Sequence, residues 1–252
     1  MSFEGKLVIV TGSSSGIGAS IALRFAKEGA QVILVGRNEK KLQDVYEQCA
    51  TFGKKPLIVK IDVTKDDEAK TLIKQTIDRF GQLDVLVNNA GVGGNFDILS
   101  EDFMENYDRI VRLNLRAVVF ITHLALPYLI ESKGNIVNIS SIGAKINLGT
   151  HGAIPYCTAK AGVSHFSRCT AVKLAPYGVR VNIVSPGPVK TDILNNSGVG
   201  NYSWDVIGDT TLLKRVSKPE EIADVVLFLA GNKAKGITGS DFVVDNGTIL
   251  KS

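Results

Sequence analysis

The stretch Lys6-Leu7-Val8-Ile9-Val10-Thr11-Gly12-Ser13-Ser14-Ser15-Gly16-Ile17-Gly18 decides how this chain is read. A short β-branched apolar run leads directly into a glycine-rich loop, and a helical pattern follows. A run that is apolar on both faces fits a parallel strand buried between two layers of helices. The glycines let the backbone turn tightly and approach a pyrophosphate, whose charge then meets the amide end and positive dipole of the helix. Strand, glycine loop and helix in that order predict a dinucleotide site.

The same alternation runs outward from this stretch. Further apolar runs at Gln31–Val35, Pro56–Ile61, Leu83–Val87, Asn135–Ser140, Val179–Val184 and Asp241–Val244 complete seven strands. Helical patterns lie between them, at about Glu101–Leu113, Leu115–Glu131, Pro155–Ala175 and Pro219–Ala230 in the second half. The clearest has Ala69, Leu72, Ile73, Thr76, Ile77 and Phe80 on one face, Thr64 and Asp67 placed to cap its start, and Gly81 to close it. Gly29 and Gly53 punctuate the first two helices similarly. Short connections between alternating strands and helices predict one α/β domain over residues 1–252, a doubly wound parallel sheet with helices on both faces. The long irregular stretch Pro186–Lys218 exceeds the usual loop length and predicts a substrate lid at about 190–215.

Composition narrows the function classes. The 252 residues are 44% hydrophobic and 21% charged, enough apolar side chain for a full core. Lys plus Arg number 29 against 25 acids, and this small excess forms no patch, so no nucleic-acid partner is expected. Cys49, Cys157 and Cys169 have no C-x-x-C or zinc spacing, and His123, His151 and His165 share no metal spacing. No metal is expected; His123 reads as a packed helix residue and Cys157 as structural. The start of the chain is no secretory signal, and the apolar stretch Ala117–Ile130 is shorter than the ~20 residues a bilayer needs. The expectation is a cytoplasmic protein without a membrane partner.

Thr11–Gly18, Asn88-Asn89-Ala90-Gly91 after the fourth strand, and Tyr156-x-x-x-Lys160, in this order, closely resemble the short-chain dehydrogenase/reductase family over nearly the whole chain. The resemblance implies a Rossmann fold and an oxidoreductase using NAD(P). Gly12, Ser14, Ser15, Gly16, Ile17 and Gly18 then cradle the cofactor, Asp62 and Val63 meet the adenine, and Asn89, Ala90 and Gly91 support the central strands. Pro186, Gly187, Val189 and Thr191 follow the sixth strand at the nicotinamide, with Thr191 anchoring its amide. At the end of the second strand an NAD enzyme usually places an acid, whereas this chain has Gly36-Arg37-Asn38. Arg37 can clamp a 2′-phosphate through charge-assisted hydrogen bonds, so NADP(H) is preferred and NAD(H) stays possible.

Tyr156 and Lys160 lie four apart on a helical pattern and so share a face. The ammonium favours the phenolate, which tunes Tyr156 as a general acid or base. Lys160 also binds the nicotinamide ribose by resemblance, Ser141 orients the substrate carbonyl, and Asn114 holds a water in a proton relay with Lys160. Ser141 precedes Tyr156 by 15 residues, two more than the family pattern, which leaves Ser140 open as the alternative.

The expected pocket lining is Val92–Phe96, Ile142–Ile154 and Asp192–Leu213, including Ile146, Leu148, Tyr202, Trp204 and Ile207. Its few charges, Lys145, His151 and Asp205, suit an uncharged carbonyl or secondary alcohol. Alternatives are a 3-oxoacyl-carrier-protein reductase, an NAD-linked steroid or polyol dehydrogenase, and a catalytically silent nucleotide-binding scaffold. Ser132 and Tyr177 stand where carrier-docking members tend to have basic residues, with Lys133 adjacent. The resemblance also implies a homotetramer built on Leu115–Glu131 and Pro155–Ala175.

Overall fold

The computed structural model describes residues 2–94, 96–148, 153–192 and 203–251. His151, Tyr202 and residues 193–202 of the expected lid lie outside the described residues. Strands β1 (Leu7–Thr11), β2 (Gln31–Gly36), β3 (Leu57–Lys60), β4 (Val85–Asn88), β5 (Asn135–Ile139), β6 (Arg180–Pro186) and β7 (Asp241–Val244) form one sheet. Its order is β3-β2-β1-β4-β5-β6-β7, and every pairing is parallel. The order reverses between β1 and β4, where open α/β sheets form a crevice beyond their carboxyl ends.

Period-two alternation sorts each central strand between two cores. Val8 and Val10 of β1 face one layer with Val32 and Leu34 of β2, whereas Leu7, Ile9, Ile33 and Val35 face the other. Helices α1 (Gly16–Lys27), α2 (Glu39–Ala50) and α8 (Pro219–Ala230) cover the first face through Ile21, Phe25, Leu42 and Val226. Helices α3 (Asp66–Phe80), α5 (Ala117–Glu131) and α6 (Ile154–Leu174) cover the second through Leu72, Ile121, Leu129 and Leu174. Fully burying each such side chain contributes about 1.5–3 kcal/mol. Short helices α7 (Trp204–Asp209) and α9 (Thr248–Lys251) finish the chain's carboxyl third.

Three local readings are corrected. The two helices expected around Asn114 form one, Phe103–Glu131: α4 (Phe103–Val111), a π-helical turn at Arg112–Arg116, then α5. In that turn the Ala117 amide donates five residues back to the Arg112 carbonyl, which absorbs the change in periodicity without a break. The residue at the cap position of α3 is Lys65, whose side chain makes no cap bond. Asp62 instead accepts from the Thr64 amide and hydroxyl, and Glu68 accepts from the Asp62 amide. His123 is exposed, because the buried stripe of α5 runs through Ala117, Ile121, Ala125 and Leu129.

Candidate active site at the carboxyl edge of the sheet

The glycine loop is pinned from behind. Ser13, fully buried, accepts from the Val35 amide at 2.8 Å, and its own amide donates to the Val35 carbonyl at 3.0 Å. Gly12 takes φ +67° and Gly16 φ +56°, a left-handed geometry that strains other residues. Ser15 is extended at the start of α1, its side chain caps nothing, and the first turn holds no acid. The positive end of α1 is therefore left for an outside anion. At Gly18 a side chain would overlap the Gly12 carbonyl oxygen and stand 2.5 Å from Asn89 Nδ2. Ile17 packs on the core, and Ser14 lies under Gly36 at the tip of β2. A tight cradle, closed even to a Cβ and ending on unpaired dipole, fits a pyrophosphate.

Thr11 joins this loop to the one after β4. Its hydroxyl oxygen accepts from the amides of Asn89 (3.0 Å) and Ala90 (3.1 Å), while Asn89 Nδ2 donates to the carbonyls of Thr11 and Gly12. Asn114 is fully buried, and both ends of its amide bond the backbone of Val92, at 2.8 and 3.0 Å. The side chain thus ties the π-helical turn to the β4 loop. A Cβ on Gly91 would lie 3.2 Å from Asn114 Oδ1 and 3.5 Å from Lys160 Nζ, so this glycine keeps the space between them open.

Pro155 sits in the first turn of α6, where its missing amide costs nothing, and Tyr156 and Lys160 follow one turn apart. Lys160 Nζ donates to the Ile139 carbonyl at 2.8 Å and stands 5.8 Å from the Tyr156 ring centroid. The Ser141 hydroxyl faces the half-buried Tyr156 phenol. Burial raises the phenol above its ordinary value, a correction to the lowering expected from Lys160, and the Ser141 hydroxyl opposes that rise. Burial alone lowers Lys160 to about 8. Ser141 also accepts from the Gly143 amide at 3.1 Å. Ser140 points the other way, donating to the Lys160 carbonyl at 3.0 Å and sharing a 2.8 Å bond with Ser164. Of the two adjacent serines, the structure turns Ser141 to the tyrosine and uses Ser140 to fasten α6 to β5.

The longer loop after Ser141 is anchored on its near side. Lys145 Nζ meets Asp241 Oδ2 at 2.6 Å, Ser185 donates to Oδ1 at 2.6 Å, and Arg168 approaches at 3.5 Å. Lys145 is thus held on β7 by an ion pair, a correction to its reading as a charge in the pocket lining.

A buried ammonium without a carboxylate is costly, which sets up a stability test. Lys160→Met removes the charge, so without cofactor the variant is expected to melt above wild type at pH 7. The folded lysine releases its proton near 8 and the unfolded one near 10.5, so wild-type stability rises with pH across that window and the gap narrows. Thermal melts between pH 7 and 10 check this; a less stable variant at pH 7, or a constant gap, contradicts it.

At the far end of the groove, Asn38 caps α2 by accepting from the Lys41 amide, and Arg37 lies beside it with its side chain 68% exposed. Arg37 approaches Asp62 at 4.0 Å. Burial pushes the Asp62 carboxyl up, but the two Thr64 bonds and Arg37 together hold it below its ordinary value. Val63 is buried in the core. Thr191 comes against Gly16, a Cβ there lying 3.1 Å from its Cγ2. Lys41 and Asp192 pair at 2.8 Å, joining α2 to the segment after β6. Pro186 ends β6, Gly187 presses on Asp245, and Val189 is buried where it bridges to Ser217. Lys41 and Asp241 escaped the sequence reading as site residues, and Thr11 and Ser13 entered it within the glycine motif without a role: lone polar residues carry no periodic signal, and their partners are distant in sequence.

Comparison with known proteins agrees with this geometry. A family model described as enoyl-(acyl carrier protein) reductase matches residues 12–248. The chain is 33% identical to 3-oxoacyl-[acyl-carrier-protein] reductase FabG of Thermotoga maritima, over 99% of this chain and 100% of that protein. It is 35% identical to meso-2,3-butanediol dehydrogenase of Serratia marcescens, over 98% and 96%. L-Sorbose reductase from Gluconobacter frateurii, solved with NADPH and L-sorbose, superposes with a TM-score of 0.90 at 31% identity, over 99% and 98%. With the seven-stranded parallel sheet, these likenesses make the chain a member of the short-chain dehydrogenase/reductase family, an oxidoreductase of the kind that uses a nicotinamide cofactor.

Proposed function

We propose that this oxidoreductase prefers NADP(H) and interconverts a small, largely uncharged carbonyl compound and its secondary alcohol. The observation that carries the reading is the Tyr156 phenol, faced by Ser141, with the buried Lys160 ammonium 5.8 Å from its ring centroid. Gly12, Ser14, Ser15, Gly16, Ile17 and Gly18 would hold the pyrophosphate. Asp62 and Val63 would flank the adenine, and Asn89, Ala90 and Gly91 the ribose. Pro186, Gly187, Val189 and Thr191 would lie at the nicotinamide, which supplies or accepts the hydride when bound. Ser141 orients the carbonyl oxygen, and Tyr156 gives it a proton during reduction or takes one from the alcohol during oxidation. Lys160 steadies the phenolate that remains, and Asn114 holds the β4 loop from which Gly91 leaves a passage for a proton-carrying water.

The preference for NADP(H) rests on Arg37, exposed just past the tip of β2, whose ion-pair partner among the described residues is Asp62 at 4.0 Å. NADPH in the sorbose reductase supports it. Arg37→Asp is expected to weaken NADPH relative to NADH by about 10- to 100-fold, the range for a lost charge-assisted bond of ~1.5–3 kcal/mol. Cofactor titrations check this, and an unchanged ratio contradicts it. With Lys145 committed to Asp241, the expected lining loses a cation, which favours an uncharged substrate. NADPH oxidation against ketones, dicarbonyls and short 3-oxoacyl thioesters ranks the substrate classes. Best turnover on the thioesters would move the reading to a 3-oxoacyl-carrier-protein reductase. The homotetramer implied by resemblance would use the outer faces of α5 and α6, where Val172 is 79% exposed; light scattering of the purified chain reads its mass.

A further inference from the structure

A second recess lies at the opposite end of the sheet. A cavity of about 470 Å³ opens among the starts of β1, β4, β5 and β6, lined in part by Lys6, Asp84, Lys133, Asn135, Arg180 and Lys235. Strands of five residues rise ~17 Å, so this recess is well separated from the glycine loop at the carboxyl edge. Its volume suits a small ligand.

The charges around it do not cancel. Asp84 is fully engaged by Lys6 Nζ (2.8 Å), the Leu7 amide (2.9 Å) and Gln82 Nε2 (3.1 Å), so that acid and Lys6 neutralise each other. Three cations remain. Among the described residues Arg180 bonds neutral groups alone: the carbonyls of Ile237 (3.2 Å), Ala230 and Gly231 (3.4 Å each), and the Asn135 amide oxygen in the orientation that satisfies both side chains. Lys133 lies along Gly178 at the turn into β5, in the left-handed conformation, with φ +49°. Lys133 and Lys235 have no ion pair among the described residues. The Arg180 guanidinium, its terminal N–H groups held by carbonyl oxygens, adds uncancelled positive charge to the recess, and the exposed Lys133 and Lys235 ammonium groups beside it match the several oxygens of a phosphate better than a single carboxylate.

We propose that this amino-edge cavity binds a small phosphorylated anion at a site distinct from the nicotinamide groove. The test is calorimetric titration of inorganic pyrophosphate into the enzyme saturated with its nicotinamide cofactor, which keeps the glycine loop occupied, with ionic strength matched by sodium chloride. Wild type and a control variant, Lys70→Ala with Lys74→Ala on exposed α3, are expected to bind one pyrophosphate per chain. Lys133→Ala with Lys235→Ala is expected to weaken Kd at least about tenfold, since two charge-assisted contacts are lost. The proposal is overturned by any of three results: no saturable binding to wild type, an equal loss in the control, or a cavity variant that binds as wild type does. Binding of an acidic carrier protein, but not of pyrophosphate, would also overturn it.

Discussion

Tyr156→Phe is expected to lower kcat for carbonyl reduction by about 10²–10⁴, the range that general acid–base catalysis contributes. The substitution keeps the ring that packs at the start of α6 and the Lys160 ammonium 5.8 Å from its centroid. What disappears is the hydroxyl that faces Ser141, the group proposed to exchange a proton with a substrate oxygen. The loss is therefore expected in kcat, with KM for the carbonyl and cofactor affinity close to wild type, the pattern of a group that acts in the transition state. Steady-state kinetics beside a cofactor titration check both halves. A variant that retains more than about a tenth of the rate would give the proton to another residue.

Gly18→Ala is expected to have the second large effect, and by a different route. The new Cβ would overlap the Gly12 carbonyl oxygen and approach Asn89 Nδ2 at 2.5 Å. Neither neighbour can yield. The Gly12 carbonyl belongs to a loop that Ser13 pins to β2, and Asn89 Nδ2 is committed to the carbonyls of Thr11 and Gly12. Relief has to come from moving the start of α1 away from the β4 loop, which dismantles the surface offered to the pyrophosphate. Overpacking of this kind costs about 1–3 kcal/mol of stability, and cofactor affinity is expected to fall at least about a hundredfold because the amides and dipole lose their aim. Gly236→Ala is the control, since a Cβ there meets nothing within 4 Å. Cofactor fluorescence and thermal melts check the pair; near-normal binding by Gly18→Ala would mean the cradle is not the cofactor site.

The fold was legible because strands such as β1 are apolar on both faces, whereas helices such as α2 and α3 are apolar on one. Val8 and Val10 look one way, Leu7 and Ile9 the other, and only a sheet covered on both sides buries all four. The site was legible where chemistry follows local spacing: the glycine loop, and Tyr156 with Lys160 four residues on. Spacing failed at Ser140 and Ser141, since adjacent residues differ only in which side they face, and that is set by how the end of β5 meets α6. It failed again at Asn114, where a π-helical turn keeps the helix continuous while shifting its face, something a 3.6-residue pattern registers only as a break. The pairs Lys145–Asp241 and Lys41–Asp192 have no local signature at all, because tertiary folding alone brings such distant residues together.

The central claim is that Ser141, Tyr156 and Lys160 handle one proton as a unit. It is tested most directly by the pH dependence of kcat/KM for carbonyl reduction from pH 6 to 10, in wild type and Tyr156→Phe. Reduction needs the protonated tyrosine to give up its proton to the substrate and a charged lysine to steady the phenolate left behind. As pH rises through the value of about 8 that burial gives Lys160, that support is withdrawn. The wild-type rate is therefore expected to fall with an alkaline midpoint near 8, and the small residual rate of Tyr156→Phe to run flat through the same range. A wild-type profile flat to pH 10, or the same alkaline fall in the variant, would contradict the account.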